Sequence, residues 1–120
     1  MTLQECFAAM GGDYNDVLGR LRSERLVQKF VLKFLDDKSF DTLCLSLEEG
    51  NTEEAFRAAH TIKGMCQNLS FTDLAVSASE MTEALRAGDL EGGRAMLARV
   101  RQDYDKTALA IRAFKAGLPE

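Results

Sequence analysis

Residues 55–64, Ala-Phe-Arg-Ala-Ala-His-Thr-Ile-Lys-Gly, decide how this chain is read, because they set the one histidine of the sequence inside a strongly helical run. At about 100° per residue, Ala55, Ala58, Ala59, Ile62, Cys66 and Leu69 fall within an arc roughly 100° wide, the width of a face turned to a core. His60 lies about 160° from the centre of that arc and is predicted to project into solvent. Glu53, Phe56, Arg57, Lys63, Gly64, Gln67 and Phe71 lie on or beside the same outward face, with Phe71 at the border of the next helix. Gly64 is the costly member, since glycine inside a helix is about 1 kcal/mol worse than alanine. It lies outside the buried arc, so open space beside the imidazole is the expected compensation.

Helical punctuation continues in both directions. Asn51 is expected to cap the His60 helix with Glu54 reaching back, an Asn form of the capping box. Ser70 is expected to cap the next helix with Asp73 in the reciprocal position, followed by the apolar stripe Phe71, Leu74, Ala75, Ala78, Met81 and Leu85 up to Gly88. Asp89 opens a last helix whose stripe is Leu97, Val100, Tyr104, Ala108 and Ile111. Upstream, Phe40, Leu43, Cys44 and Leu47 form a helix ending at Gly50. Before it, Leu26, Val27, Phe30, Val31, Phe34 and Leu35 repeat at three- and four-residue steps from Ser23. Leu3, Cys6, Phe7 and Met10 precede Gly11-Gly12, and Asp13 caps a short helix carrying Tyr14, Val17, Leu18 and Leu21.

The single proline, Pro119, is near the C-terminus, and no segment alternates like a strand. The expected architecture is all-α: an antiparallel up-and-down four-helix bundle with additional short N-terminal helices, residues 1–120 forming one domain. Three cysteines in no CxxC pair give neither a disulfide framework nor a zinc site, and read as core residues in a reducing compartment. A net charge of −4 with mixed signs disfavours a general nucleic-acid binder. The N-terminus lacks the basic and apolar regions of a signal peptide, and no run approaches the ~20 apolar residues of a membrane span, so a cytoplasmic protein is expected.

A neutral, exposed imidazole is a good nucleophile towards phosphorus, and Lys63 can offset the charge of an attached phosphoryl group. Hydrolysis or acyl transfer would need an acid–base pair or an oxyanion hole, and a metal site would need ligand spacing. The sequence presents neither, so no cofactor, no metal and no enzyme activity are expected.

Phe56-Arg57-Ala58-Ala59-His60-Thr61-Ile62-Lys63-Gly64 resembles the signature of histidine-containing phosphotransfer (HPt) domains, in which His is followed by one residue, Leu or Ile, Lys and Gly. The family is built of helical bundles of about this size. The resemblance implies that His60 takes a phosphoryl group at its outer ring nitrogen from the phospho-aspartate of a receiver domain and passes it to another receiver. It further implies that Lys63 and Gln67 support the phosphate and that Gly64 clears space for it. Phe56, Arg57 and Phe71 would serve receiver docking. The receiver supplies the acidic pocket and the magnesium ion, so the domain is a carrier. The implied partners are response-regulator receivers and a sensor histidine kinase, hybrid or not. A monomer is expected, because a complete bundle needs no second subunit.

Two departures stand out. Family members usually carry small residues after the first glycine and a second glycine near the helix end, where this chain has Met65, Cys66, Gln67 and Ser70. Two rival readings stay open: the phosphoacceptor domain of a chemotaxis-type histidine kinase, which Phe56-Arg57-Ala58-Ala59-His60 and Phe71-Thr72-Asp73-Leu74 also resemble, and a non-phosphorylated helical adaptor.

Overall fold

The computed structural model describes residues 1–119, which form eight helices: α1 (Leu3–Met10), α2 (Tyr14–Leu21), α3 (Glu24–Phe34), α4 (Ser39–Glu49), α5 (Thr52–Leu69), α6 (Thr72–Arg86), α7 (Leu90–Ala95) and α8 (Leu97–Ala116). Helices α4, α5, α6 and α8 are the antiparallel bundle, with α5 in contact with both α4 and α6, and α6 with α8. The α4–α8 side closes through Phe40 and Tyr104, whose rings stack at 4.1 Å, and through Arg101, which donates to the sulfur of Cys44 at 3.3 Å. The additional helices α1, α2 and α3 precede it, and α1 lies along α8.

Several boundaries follow the predicted capping chemistry: Asp13, Asn51 and Asp89 each accept a backbone N–H from the third residue onward, and Gly50 ends α4 in the left-handed region. Ser23 caps α3 in the same way, and Gly11 ends α1 in the left-handed region. The Asn51 cap is one-sided: its side chain accepts from the Glu54 amide, whereas the Glu54 carboxylate turns to Arg57 and the Asn51 amide bonds the Ser46 carbonyl.

Three expectations are corrected. Ser70 does not start α6 but ends α5, in the left-handed region at φ 58°, with its amide bonding back to Cys66 and Gln67. The second glycine of the family pattern is thus replaced at a position where glycine is the low-strain residue. Its hydroxyl is drawn away from capping by Asp16, to which it donates at 2.6 Å. Asp73 is likewise engaged elsewhere, with Lys106 at 2.8 Å.

The segment after Asp89 is two helices, α7 and α8, parted at Met96. Helix α7 packs closely on α6 at Gly93, where a Cβ would sit 2.6 Å from the Leu85 side chain. Finally, the α3 stripe is wider than its buried face: Val27, Val31 and Phe34 are buried, while Leu26 and Phe30 are 39% and 38% exposed. Helix α3 sits at the edge of the molecule and has too few neighbours to cover its whole apolar surface.

The two N-terminal helices are locked to the far end of α5. The Asp13 amide donates to the Ser70 carbonyl and the Asp73 amide to the Gly11 carbonyl, at 2.8 and 3.0 Å. A Cβ at Gly12 would lie 2.9 Å from that same Ser70 carbonyl, so only glycine permits this approach. Cys6 and Cys66 are buried free thiols and Cys44 is half-buried. Among the described residues no helix is long and apolar enough to cross a membrane.

Candidate functional site

Helix α5 is built to hold one face in the core and present the other. Glu53 and Glu54 in its first turn complement the positive end of the helix dipole, and Arg57 bridges to both, to Glu53 at 2.6 Å. Its buried residues are Ala55, Ala58, Ala59, Ile62, Cys66 and Leu69, the six of the predicted arc. The small alanines at 55, 58 and 59 let neighbouring helices approach near His60, while Ile62, Cys66 and Leu69 fill the lower core.

His60 is exposed on the opposite side, and among the described residues its imidazole makes no hydrogen bond or ion pair. The ring instead lies on Phe56, one turn back, with centroids 5.8 Å apart and planes 22° apart. Arg86, in the last turn of α6, places its guanidinium over the Phe56 ring at 5.0 Å. Lys63 and Gly64 are half-buried, one turn onward, and among the described residues Lys63 has no ion-pair partner.

A Cβ built at Gly64 meets nothing within 4 Å. Close packing against another helix therefore does not explain this glycine. Side chains on a helix lean towards its N-terminus, so anything larger at position 64 would lean over the turn carrying His60. The imidazole has Phe56 on one side and open space on the other.

The C-terminal end of α5 is tied down from α2. Arg20 donates to the Asn68 carbonyl at 2.6 Å, to the Gln67 carbonyl at 3.3 Å and to the Ser70 hydroxyl at 2.7 Å, satisfying carbonyls that the helix itself leaves open. Asp16 completes the group by accepting from Ser70 and Arg20; these two hydrogen bonds, that from Ser70 foremost, hold its carboxyl below the usual range. Gln67 is exposed directly above this anchor.

Of the residues singled out by sequence, His60, Lys63, Gly64, Gln67, Phe56 and Arg57 share the outward side of α5. Phe71 does not. It is 1% exposed, with its ring 5.6 Å from Phe7 and 5.2 Å from Phe34. The α5 wheel ceases to apply at Ser70, where the left-handed turn swings the chain and sends the next side chain inward. Two participants escaped the sequence reading. Arg86 carries no local signal, because its approach to Phe56 is a contact between helices, and the Asp16–Arg20–Ser70 group joins positions about fifty residues apart.

Other chemistry is sparse near His60. Burial pushes the Cys66 thiol well up, which leaves that sulfur an inert core atom. Among the described residues no group of three or more His, Cys, Asp or Glu side chains is placed to hold a metal ion.

The family model of the Hpt domain matches residues 25–110, α3 through most of α8. The chain belongs to the Hpt domain family. No curated protein and no solved structure matches it individually. Hpt domains are phosphocarrier modules of two-component phosphorelays that work with receiver domains and kinases, so histidine phosphotransfer is the functional class of this chain. The match includes all of α5 and α6, and leaves α1 and α2 outside.

Proposed function

We propose that His60 is the phosphoacceptor, taking a phosphoryl group from the aspartyl phosphate of one receiver domain and giving it to the aspartate of another. A single observation carries this reading: the only imidazole of the chain stands opposite the buried arc of α5, unengaged by hydrogen bonds, beside a glycine whose missing side chain leaves open space. In the forward step a ring nitrogen attacks phosphorus, the N–P bond forms, and the P–O bond to the aspartate breaks with its electron pair leaving on the carboxylate. The proton on the other ring nitrogen takes no part in the attack itself and is released to water afterwards. Lys63 offsets the roughly two negative charges that arrive, and Gln67 offers an amide to the phosphoryl oxygens or the partner's loop.

Phe56 and Arg57 border the docking face, with Arg57 held by Glu53 and Glu54. Residues 1–120 act as one cytoplasmic, monomeric unit, with α1 and α2 bracing the end of α5. The transfer machinery itself, including the magnesium ion, belongs to the receiver.

Incubation with a phosphorylated receiver should yield an acid-labile, base-stable phosphoprotein, and His60→Gln should abolish it while leaving the helical circular-dichroism signal intact. Failure of transfer from every receiver of the source organism would turn the reading towards a non-phosphorylated adaptor.

A further inference from the structure

A histidine exposed on a helix ordinarily has little to fix its ring, because the torsion about Cβ–Cγ is broad and solvent offers no preferred orientation. That freedom matters for a nucleophile. The lone pair of an imidazole nitrogen lies in the plane of the ring, so the plane determines the line along which phosphorus can be attacked. Among the described residues no hydrogen-bond partner orients His60, but one flat surface does: the Phe56 ring, at 5.8 Å and 22°. Phe56 is itself restrained, half-buried against the core and covered by the Arg86 guanidinium at 5.0 Å. Arg86 is in turn tethered to Glu83, with Nε 3.3 Å from the carboxylate. The chain of restraint runs from α6 across to α5 and ends at the imidazole.

We propose that Phe56, backed by Arg86, is a positioning residue for phosphotransfer: it holds the plane of the His60 ring so that the attacking nitrogen points along the open side left by Gly64. This rests on the reading of His60 as phosphoacceptor. The normal lean of helical side chains brings His60 towards position 56 and away from position 64, so stack and opening are two consequences of one helix geometry. The phosphoryl group enters edge-on, alongside the Phe56 ring. Stacking also suits the intermediate, because attack by the neutral ring leaves it cationic until the remaining N–H proton departs to water, and a cation is favoured against an aromatic face.

The test separates positioning from docking. Transfer from a phosphorylated receiver is measured under single-turnover conditions over a range of receiver concentrations, for the wild type, Phe56→Leu, Phe56→Tyr and Arg86→Gln. Phe56→Leu should lower the maximal rate at saturating receiver about two- to tenfold, the worth of an aromatic pair, whatever change in half-saturating concentration its place beside the docking face brings. Phe56→Tyr should restore the rate, and Arg86→Gln should show a smaller loss in the same direction. The His60 ring protons should show an aromatic ring-current shift and a nuclear Overhauser contact to Phe56 in the wild type, with the shift lost in Phe56→Leu.

An unchanged maximal rate in Phe56→Leu, or a rise in half-saturation alone, would overturn the proposal, as would absence of the Overhauser contact. Should Phe56→Leu fail to fold, Arg86→Gln and the wild-type spectra decide. Phosphoramidate, a small donor that needs no docking, gives the independent arm. If receivers never label the wild type but phosphoramidate does, the receiver reading falls and the stack is judged by whether Phe56→Leu slows that labelling.

Discussion

Replacing Gly64 with alanine should make the protein more stable and a poorer phosphocarrier. The stability half follows from the helix alone. Alanine is favoured over glycine by about 0.8–1.0 kcal/mol in a helix interior, partly because the unfolded chain loses freedom. A glycine packed against a neighbour would forfeit that gain to a clash, but a Cβ here meets nothing within 4 Å. A net gain of about 0.5–1 kcal/mol corresponds to a melting temperature about 2–4 °C higher for a chain of this size.

The functional half follows from direction. A methyl group intrudes little, whereas Gly64→Leu projects a branched side chain back over the turn of His60 without weakening the helix, since leucine is nearly as good a helix former as alanine. A displacement of the incoming phosphoryl group by about 1 Å can cost on the order of a hundredfold in rate. Transfer should therefore fall severalfold in Gly64→Ala and about ten- to a hundredfold in Gly64→Leu. Urea unfolding followed at 222 nm and rapid-quench phosphotransfer measure the two halves on the same samples. A lower unfolding midpoint for Gly64→Ala would show that the glycine serves packing after all, and wild-type transfer by Gly64→Leu would show that the space beside His60 is not used.

Two further outcomes follow from the fold. Phe71→Ala should destabilise the bundle by about 3–5 kcal/mol, as loss of a buried phenyl ring does, and an unfolding free energy from urea titration within about 1 kcal/mol of wild type would place Phe71 outside the core. Asp16 has its carboxyl held low in the folded state, so the unfolded chain takes up the proton first as pH falls. Its stabilisation is thus complete above pH ~4 and declines below it, and the stability difference between wild type and Asp16→Asn should shrink on acidification through that range. A difference independent of pH would mean that the ionised carboxylate is not what anchors Ser70.

The outward side of α5 was legible because burial on a long helix repeats with the turn, and a stretch of small and apolar residues at three- and four-residue steps can face only one way. The same logic located the His60, Lys63 and Gly64 group. It failed where the chain leaves the helix. A serine in the left-handed conformation gives no local warning of the kind glycine gives, so Ser70 reads as the start of α6, and Phe71 reads both as part of the apolar stripe of α6, which holds, and as part of the docking face, which does not. It failed again for Arg86, whose relation to Phe56 is set by how α6 crosses α5. Leu26 and Phe30 show the converse: the helical period was right, but the number of neighbours available to cover it is a property of the assembled fold.

The anchoring of α1 and α2 on the α5–α6 turn bears on how this domain could be moved between proteins. Sequence likeness would cut it at residues 25 and 110, a tempting pair of borders for a chimeric signalling protein. Such a graft would carry His60 but strip Phe7 from the ring of Phe71 and both Asp16 and Arg20 from Ser70, and would end α8 before the buried Ile111 and Phe114. The transplantable unit is larger than the recognisable one.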